Sequence, residues 1–207
     1  MIQAQYKPWF KQLMNWYVGY IKRRDFHKVV LRECPEIDPS KSLLILGNHF
    51  SWWDPFLIAY LSIPFKKIHH VMMLEEELAK RKVLTYAGAF GINKKDGRSM
   101  IESLSYAKQI LKSPQNTLTI FPTGKIESQH VHQYHFENGV QRLLENMNGK
   151  VQVIMAIGLV DYFSNQKPTA NYFFKEYVWE GNFDVKSAEG RFNEWTKVCL
   201  EKEKKGL

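Results

Sequence analysis

The sequence predicts an α/β fold: one domain with a mixed β-sheet flanked by helices. The chain has 207 residues, which is enough for a single domain with one sizeable core. Strongly apolar runs at 42–47, 116–121 and 151–160 have the length and composition of buried strands. Amphipathic stretches with helix-start signals lie between these runs, and such alternation of strands with helices is typical of α/β proteins.

The elements are predicted in chain order from apolar periodicity and from the Pro and Gly residues that end each run. Pro64 and Pro114 each end an element, and Asn148-Gly149 closes another. The predicted order is a helix at 7–24, a turn-rich link at 34–41, a strand at 42–47, a helix at 55–62, a strand at 67–74, a helix at 76–86, a helix from a capping box of Ser99 and Glu102 to about 112, a strand at 116–121, a helix at 137–148, strands at 151–160 and 170–179, and a helix at 187–205.

Composition, cysteine spacing and hydropathy favour a globular, intracellular protein without a membrane-spanning helix. Apolar residues make up 44% of the chain and charged residues 24%, which is ordinary for a globular domain. Cys34 and Cys199 form no metal-binding or CxxC spacing, which favours a reduced, intracellular protein. No signal-peptide pattern is present, and the longest apolar run, 153–160, is far shorter than the roughly 18 residues of a membrane-spanning helix.

The N-terminal segment differs from the rest of the chain in charge and pattern. We predict a helical segment at 1–33 and a second unit at 34–207. The net charge is +8, and residues 1–32 are rich in Lys and Arg while Asp25 is their single acid. Within the helix at 7–24, large apolar side chains recur at helical spacing: Trp9, Leu13, Trp16, Tyr17, Tyr20 and Ile21.

The pattern of this segment predicts a helix that binds peripherally to an anionic membrane surface, at the cytoplasmic face. Tryptophan and tyrosine favour the headgroup layer, and basic residues are attracted to anionic lipid. A simpler interpretation is that the apolar stripe packs on the domain core, and the two interpretations are compatible. Nucleic acid is not expected as a partner, because no zinc-finger spacing or aromatic-glycine RNA motif is present.

The stretch from 43 to 55 carries the main candidate for catalysis. Its apolar run ends at Gly47, and Asp54-Pro55 is a helix-start signal. His49 is therefore expected in a strand-to-helix loop at the carboxyl edge of the sheet, where α/β proteins usually bind ligands. An imidazole there can accept a proton near neutral pH, and a carboxylate can orient it. In the alternative interpretation, Asp54 is only a helix cap and His49 is only a polar loop residue.

A second stretch, 119–128, also follows a β-branched strand and contains a Pro/Gly loop, Phe-Pro-Thr-Gly-Lys-Ile-Glu. Together the two stretches resemble the first and third sequence blocks of the glycerolipid acyltransferases of the lysophosphatidic-acid acyltransferase type, His-x-x-x-x-Asp and Phe-Pro-Glu-Gly-Thr-Arg-Ser. The resemblance covers roughly residues 42–160. It implies an enzyme that moves a fatty acyl group from acyl-CoA or acyl-carrier protein to a lipid acceptor.

The chain departs from the family pattern in its basic loops. Thr123 stands where the family has glutamate and Ile126 where it has arginine, although Lys125 and Glu127 supply both charges one position away. The family's second block reads roughly Gly-x-x-Phe-x-x-Arg; aligned by Gly88 and Ile92, its arginine position is Lys94 here, followed by Lys95 and Arg98. A solvated basic loop also explains these charges. A lysine lacks the bidentate fork that suits phosphate. An acceptor other than ordinary lysophosphatidate is therefore expected.

The resemblance implies a general base, His49, oriented by Asp54, and no covalent acyl-enzyme. No metal or tightly bound cofactor is expected, since the acyl thioester is a co-substrate. The substrate-binding residues that it implies lie in the loops of the three blocks: Asn48, Lys94, Lys95, Arg98, Phe121, Pro122, Thr123, Gly124, Lys125 and Glu127.

Two rival functions remain open at the level of the sequence, and one histidine run has two interpretations. A thioesterase or esterase would use the same base on water, although the Gly-x-Ser-x-Gly elbow is absent. A non-catalytic lipid-surface protein that retains only the fold would account for the altered third block. His130, His132 and His135 have a spacing that zinc can use, but loop histidines are the simpler interpretation.

Overall fold

The computed structural model describes residues 1–131 and 133–206. Two short 3-10 helices, Ile63–Phe65 and Lys82–Ala87, supplement the regular elements. In chain order those elements are α1 (Pro8–Asp25), β1 (Lys28–Glu33), β2 (Ser42–Gly47), α2 (Asp54–Leu61), β3 (Ile68–Leu74), α3 (Glu75–Lys80), β4 (Ala89–Ile92), α4 (Gly97–Ile110), β5 (Asn116–Ile120), α5 (Gly139–Leu144), β6 (Val151–Asp161), β7 (Thr169–Tyr177) and α6 (Val185–Lys204).

The strands form one sheet in the order β1-β7-β6-β2-β5-β3-β4. All neighbouring pairs are parallel except β6 and β7, which are antiparallel. The predicted mixed sheet flanked by helices is confirmed. Strands β2 and β6 are central and almost wholly buried, which explains why their sequences are apolar at nearly every position.

Successive residues of β2 point to opposite faces of the sheet and enter two different cores. Leu43 and Ile45 pack with Val18 of α1 and with Leu57 and Ile58 of α2. On the other face, the second core joins the remaining β2 leucines to α4, α5 and α6 through Leu44, Leu46, Ala107, Leu143 and Phe192. The amphipathic helices thus cover both faces of the sheet.

Parallel pairing brings three loops to one edge of the sheet. Leu46 of β2 lies opposite Ile120 of β5, so the loops that follow both strands start side by side. Leu74 of β3 lies opposite Ile92 of β4, which places the start of the Asn93 loop at the same edge. The three sequence blocks, separated by up to about 80 residues along the chain, therefore meet where ligands of α/β sheets bind.

Three predictions about local structure are wrong. Residues 28–33, which belong to the predicted N-terminal helical segment, form β1, which pairs with β7. The predicted elements include no strand at 89–92, where β4 lies. Helix α4 begins before the proposed capping box, since Asp96 accepts the Arg98 N–H and Ser99 is buried inside the helix. The two edge strands are short or half-exposed, so neither has the apolar run that marks a central strand.

Among the described residues, none of the helices combines the length and the hydropathy that crossing a bilayer requires.

We predict that Gly88→Ala destabilises the fold by about 2 kcal/mol or more, in urea denaturation followed by circular dichroism. Gly88 has φ +101°, and an added Cβ would collide with the backbone carbonyl of His69. Gly190→Ala on α6 is the control, because nothing lies within 4 Å of the added carbon. That change should stabilise the helix by roughly 0.5–1 kcal/mol. Equal effects of the two substitutions would contradict this account.

Candidate active site

The loop between β2 and α2 is organised by the carboxylate of Asp54. Nδ1 of His49 lies 2.9 Å from Oδ2 of Asp54. The same oxygen accepts the backbone N–H groups of Phe50 and Ser51, each at 2.8 Å. Asp54 is the first residue of α2, and the helix has no side-chain cap. Its carboxylate thus points back to the loop, so the alternative in which Asp54 is only a helix cap is wrong, although the helix does begin at this residue.

The carboxylate of Asp54 is buried and accepts a further hydrogen bond. Asp54 is 1% exposed, and its other oxygen, Oδ1, accepts a hydrogen bond from the Tyr172 hydroxyl at 3.4 Å. Burial, and then the negative charge of Asp54, raise the pKa of Tyr172 well above its ordinary value, so this hydroxyl remains a donor. Tyr172 lies on β7, 118 residues from Asp54. No local sequence signal could have identified it.

The third block holds His49 from the other side. The rings of His49 and Phe121 stack with centroids 4.1 Å apart and planes 19° apart. The Glu127 N–H donates to the His49 carbonyl at 2.7 Å. Because a carboxylate only accepts, neutral His49 carries its proton on Nδ1, which leaves the lone pair of Nε2 for a substrate. The first and third blocks therefore fix one imidazole in one tautomer.

A cavity of about 330 Å³ adjoins this histidine. His49, Phe121 and Pro122 lie at the edge of the sheet, and the remaining walls come from both layers of helices and from β3. Those walls are mainly apolar and include Met14, Val18, Phe56, Val71, Met73 and Leu104. A narrow apolar cavity that opens beside an oriented base can hold a hydrocarbon chain with its reactive end at the imidazole.

Asn48 does not serve as a substrate-binding residue in this structure. It is 1% exposed, its Nδ2 donates to the Gly158 carbonyl at 2.9 Å, and its Oδ1 accepts the Gly158 N–H at 2.8 Å. Both ends of the amide are thus bound to β6. Asn48 anchors the loop between β2 and α2 to the central sheet, and in this conformation neither end of its amide is free to bind a substrate.

The basic residues of the second block separate into two groups. Lys94 lines the cavity, where its Nζ donates to the Gly124 carbonyl at 2.9 Å and pairs with Glu137 at 2.6 Å. Lys95 pairs with Glu76 at the surface. Arg98 is 91% exposed and its nearest carboxylate is that of Glu102. Lys95 and Arg98 therefore lie outside the cavity with exposed side chains, and their substrate-binding role stays a prediction.

The third block forms a tight turn at the mouth of the cavity. Gly124 adopts φ +64°, and the Lys94 ammonium occupies the space that a Cβ there would fill. The side chain of Lys125 lines the cavity and pairs with Glu127 at 3.0 Å. Thr123 is buried, and its hydroxyl donates to the Lys125 carbonyl, so it supports the turn and does not line the cavity.

The histidines that follow this turn do not converge on one site in the described part of the chain. His130 is exposed, and His135 lies 3.7 Å from Glu189, to which it points. His132 lies outside the described residues. Among the residues that are described, no group of three or more His, Cys, Asp or Glu side chains is placed to hold a metal ion.

Helix α1 presents a second candidate surface. Its exposed face consists of large apolar side chains, whose exposed fractions are 65% for Trp9, 50% for Leu13, 70% for Trp16, 42% for Tyr17 and 48% for Tyr20. Ile21, which the periodicity placed on the same stripe, is buried against the core. Arg23 and Arg24 are exposed on the last turn of the helix. The apolar stripe thus faces away from the domain.

The fold and the site together define an α/β enzyme with a histidine–carboxylate pair at the mouth of an apolar cavity. The model of the Acyltransferase family matches residues 28–162, which is more than half of the chain. The protein belongs to this family and is an acyltransferase. The family resemblance inferred from the sequence blocks is confirmed.

One solved structure extends the comparison to the fold. The crystal structure of the 1-acyl-sn-glycerophosphate (LPA) acyltransferase PlsC from Thermotoga maritima superposes with a TM-score of 0.64. The match covers 93% of this chain and 79% of that chain, at 15% sequence identity. At this identity the likeness establishes the shared fold. The comparison with curated proteins gave no significant match.

We predict that Asn48→Ala lowers the free energy of unfolding by about 2 kcal/mol or more, because it leaves the buried N–H and C=O of Gly158 without partners. Asn148→Ala is the matched control, since Asn148 is exposed and makes one long hydrogen bond of 3.3 Å. It should change stability by less than about 0.5 kcal/mol. Urea denaturation measures both. An Asn48→Ala protein that loses activity with unchanged stability would instead support a direct role in catalysis.

Proposed function

We propose that this acyltransferase moves a fatty acyl group from acyl-CoA or acyl-carrier protein to a hydroxyl or amine of a lipid-like acceptor. The observation that carries the proposal is the His49–Asp54 pair at 2.9 Å, which opens on a mainly apolar cavity. A thioester donor supplies an acyl group that is already activated, so one oriented base is sufficient chemistry. No metal or further cofactor is part of the proposal.

In this mechanism Nε2 of His49 removes the proton of the acceptor as its oxygen or nitrogen attacks the thioester carbonyl carbon. Asp54 stabilises the imidazolium that forms, in the orienting role of a triad carboxylate. When the tetrahedral intermediate collapses, the carbon–sulfur bond breaks and the thiolate takes the proton back from His49. The products are the acylated acceptor and a free thiol, and the enzyme regains its starting protonation state.

The charges at the mouth favour an acceptor that is not a simple phosphate monoester. The two lysines that line it, Lys94 and Lys125, are already paired with Glu137 and Glu127. No arginine fork faces the cavity in the described residues, and a lysine binds phosphate only as a point charge. A neutral or zwitterionic lipid with a free hydroxyl or amine therefore fits better than lysophosphatidate.

The enzyme is proposed to act at a membrane surface, on the cytoplasmic face. The exposed aromatic stripe of α1 is flanked by Arg23 and Arg24, an arrangement that suits the headgroup region of an anionic bilayer. Met14 and Val18 of the same helix line the cavity from its inner side. Seating α1 on the membrane would therefore place the cavity close to the lipid that supplies the acceptor.

We expect His49→Ala to lower turnover by about 10²–10⁴-fold, because the general base is lost while the cavity remains. The assay follows free thiol and acylated lipid, with labelled acyl-CoA or acyl-carrier protein and a total lipid extract. His130→Ala is the matched control, since His130 is exposed and lies outside the cavity. Turnover of His49→Ala equal to that of wild type would reject the assignment.

The same assay separates transfer from hydrolysis. Acyl transfer yields acylated lipid in step with free thiol, whereas a thioesterase yields free fatty acid. Release of fatty acid as the main product in the presence of every acceptor would favour the hydrolase. A folded wild-type protein that releases no thiol would favour the non-catalytic alternative.

We expect replacement of Trp9 and Trp16 by Ser to reduce co-sedimentation with anionic liposomes at least about tenfold, because each buried apolar side chain contributes roughly 1.5–3 kcal/mol. Val198→Ser on α6 is the control, since it removes an exposed apolar side chain on the opposite side of the sheet. Its binding should equal that of wild type. Unchanged binding of the double tryptophan variant would contradict the proposed membrane face.

A further inference from the structure

The deep part of the cavity contains polar groups that the proposed mechanism does not use. Lys11 of α1 and His69 of β3 both line the cavity. His69 is 5% exposed, its Nε2 lies 3.2 Å from the Thr119 hydroxyl, and its Nδ1 is buried without a hydrogen-bond partner. On the same face of the sheet, the Thr117 hydroxyl is also buried without a partner.

Strand register places this cluster far from the catalytic loop. His69 lies opposite Thr117, and Thr117 lies opposite Leu43 of β2. Leu43 precedes the strand end at Gly47 by four residues. At about 3.3 Å per residue, His69 is therefore about 13 Å below the sheet edge that leads to His49. A group bound here is distant from the reacting carbonyl.

The charge of Lys11 makes this end of the cavity unusual. Within the described residues, its Nζ forms no ion pair and no side-chain hydrogen bond. Burial lowers the pKa of Lys11 to about 8, so the amine is still mostly protonated at pH 7. Burial, and then the charge of Lys11, lower the pKa of His69 well below its ordinary value. The cluster thus presents one ammonium group and one neutral imidazole.

These groups are complementary to an oxygen atom on a ligand. A hydroxyl can accept a hydrogen bond from the Lys11 ammonium and share another with Nδ1 of His69. A carboxylate would in addition neutralise the ammonium charge. An unsubstituted chain end satisfies none of these groups, and buried polar groups without partners are costly.

We propose that the deep end of the cavity is a binding site for an oxygen-bearing group, a hydroxyl or a carboxylate, on the distal half of the fatty chain. The inference rests on the proposed function, in which the cavity holds that chain. It assigns a specificity for oxygenated acyl groups to Lys11 and His69. The rest of the wall, which is mainly apolar, contacts the methylene groups between this site and the thioester.

Equilibrium binding of acyl-pantetheine thioesters tests the proposal without any acceptor, because pantetheine is the part that acyl-CoA and acyl-carrier protein share. The series compares hexadecanoyl-pantetheine with analogues that carry a hydroxyl at successive distal positions or a terminal carboxylate. At least one oxygenated analogue should bind wild type about tenfold tighter than the plain chain, as expected for a hydrogen bond to a charged group.

Variants of Lys11 assign the preference to this cluster. Lys11→Met should bind the oxygenated and the plain chains about equally. Lys11→Gln should keep part of the preference for the hydroxyl and lose the preference for the carboxylate. Lys108→Met on α4, outside the cavity, should keep the wild-type ratio. Thermal denaturation checks folding, and Lys11→Met should melt no lower than wild type, since it removes a half-buried charge that has no described counter-ion.

The outcomes separate this inference from the proposed function. If all thioesters bind wild type equally, or if the preference survives in Lys11→Met, the oxygen site is refuted and the transfer mechanism is untouched. If no thioester binds, the acyl cavity is refuted and the oxygen site falls with it. A preference that depends on Lys11, in a protein whose His49→Ala variant keeps full turnover, would support the oxygen site and reject the assigned base.

Discussion

One buried carboxylate holds the loop between β2 and α2 together. Asp54 accepts hydrogen bonds from two loop amides and from Tyr172, and it orients His49. An ionised carboxylate is costly to bury unless it is fully hydrogen-bonded. These donors therefore stabilise the charge, and the charge in turn keeps the loop in one conformation. The carboxylate that orients His49 is therefore also the group that holds the loop in its conformation.

Parallel strand pairing converts this local unit into a site. β2, β5, β3 and β4 are neighbours with the same direction, so their carboxyl ends share one edge. Phe121 can then stack on His49, and Lys94 can bind the turn at Gly124. Asn48 fixes the loop to β6 from below. Each of the three sequence blocks thus contributes its own side chains to the site and also stabilises a neighbouring block.

The cavity combines two kinds of environment whose effects on stability are opposite. Its walls are mainly apolar and bury hydrophobic side chains, which favours folding. Lys11 and the unpartnered nitrogen of His69 are costly in the same place. Proteins retain such destabilising groups chiefly at functional sites. The polar end of the cavity thus differs from an ordinary acyl-chain pocket.

The α/β fold, most of the elements and the pairing of His49 with Asp54 could be predicted from the sequence, because they depend on apolar periodicity or on residues a few positions apart, and the family could be recognised from two short sequence blocks. The roles of side chains whose partners are distant in sequence could not be predicted in this way. The tertiary structure binds Asn48 to Gly158 of β6, and it brings the Tyr172 hydroxyl to the Asp54 carboxylate. It also formed β1 and β4, whose short or half-exposed sequences carry little signal. Strand order alone fixes these contacts, and the chain does not encode strand order locally.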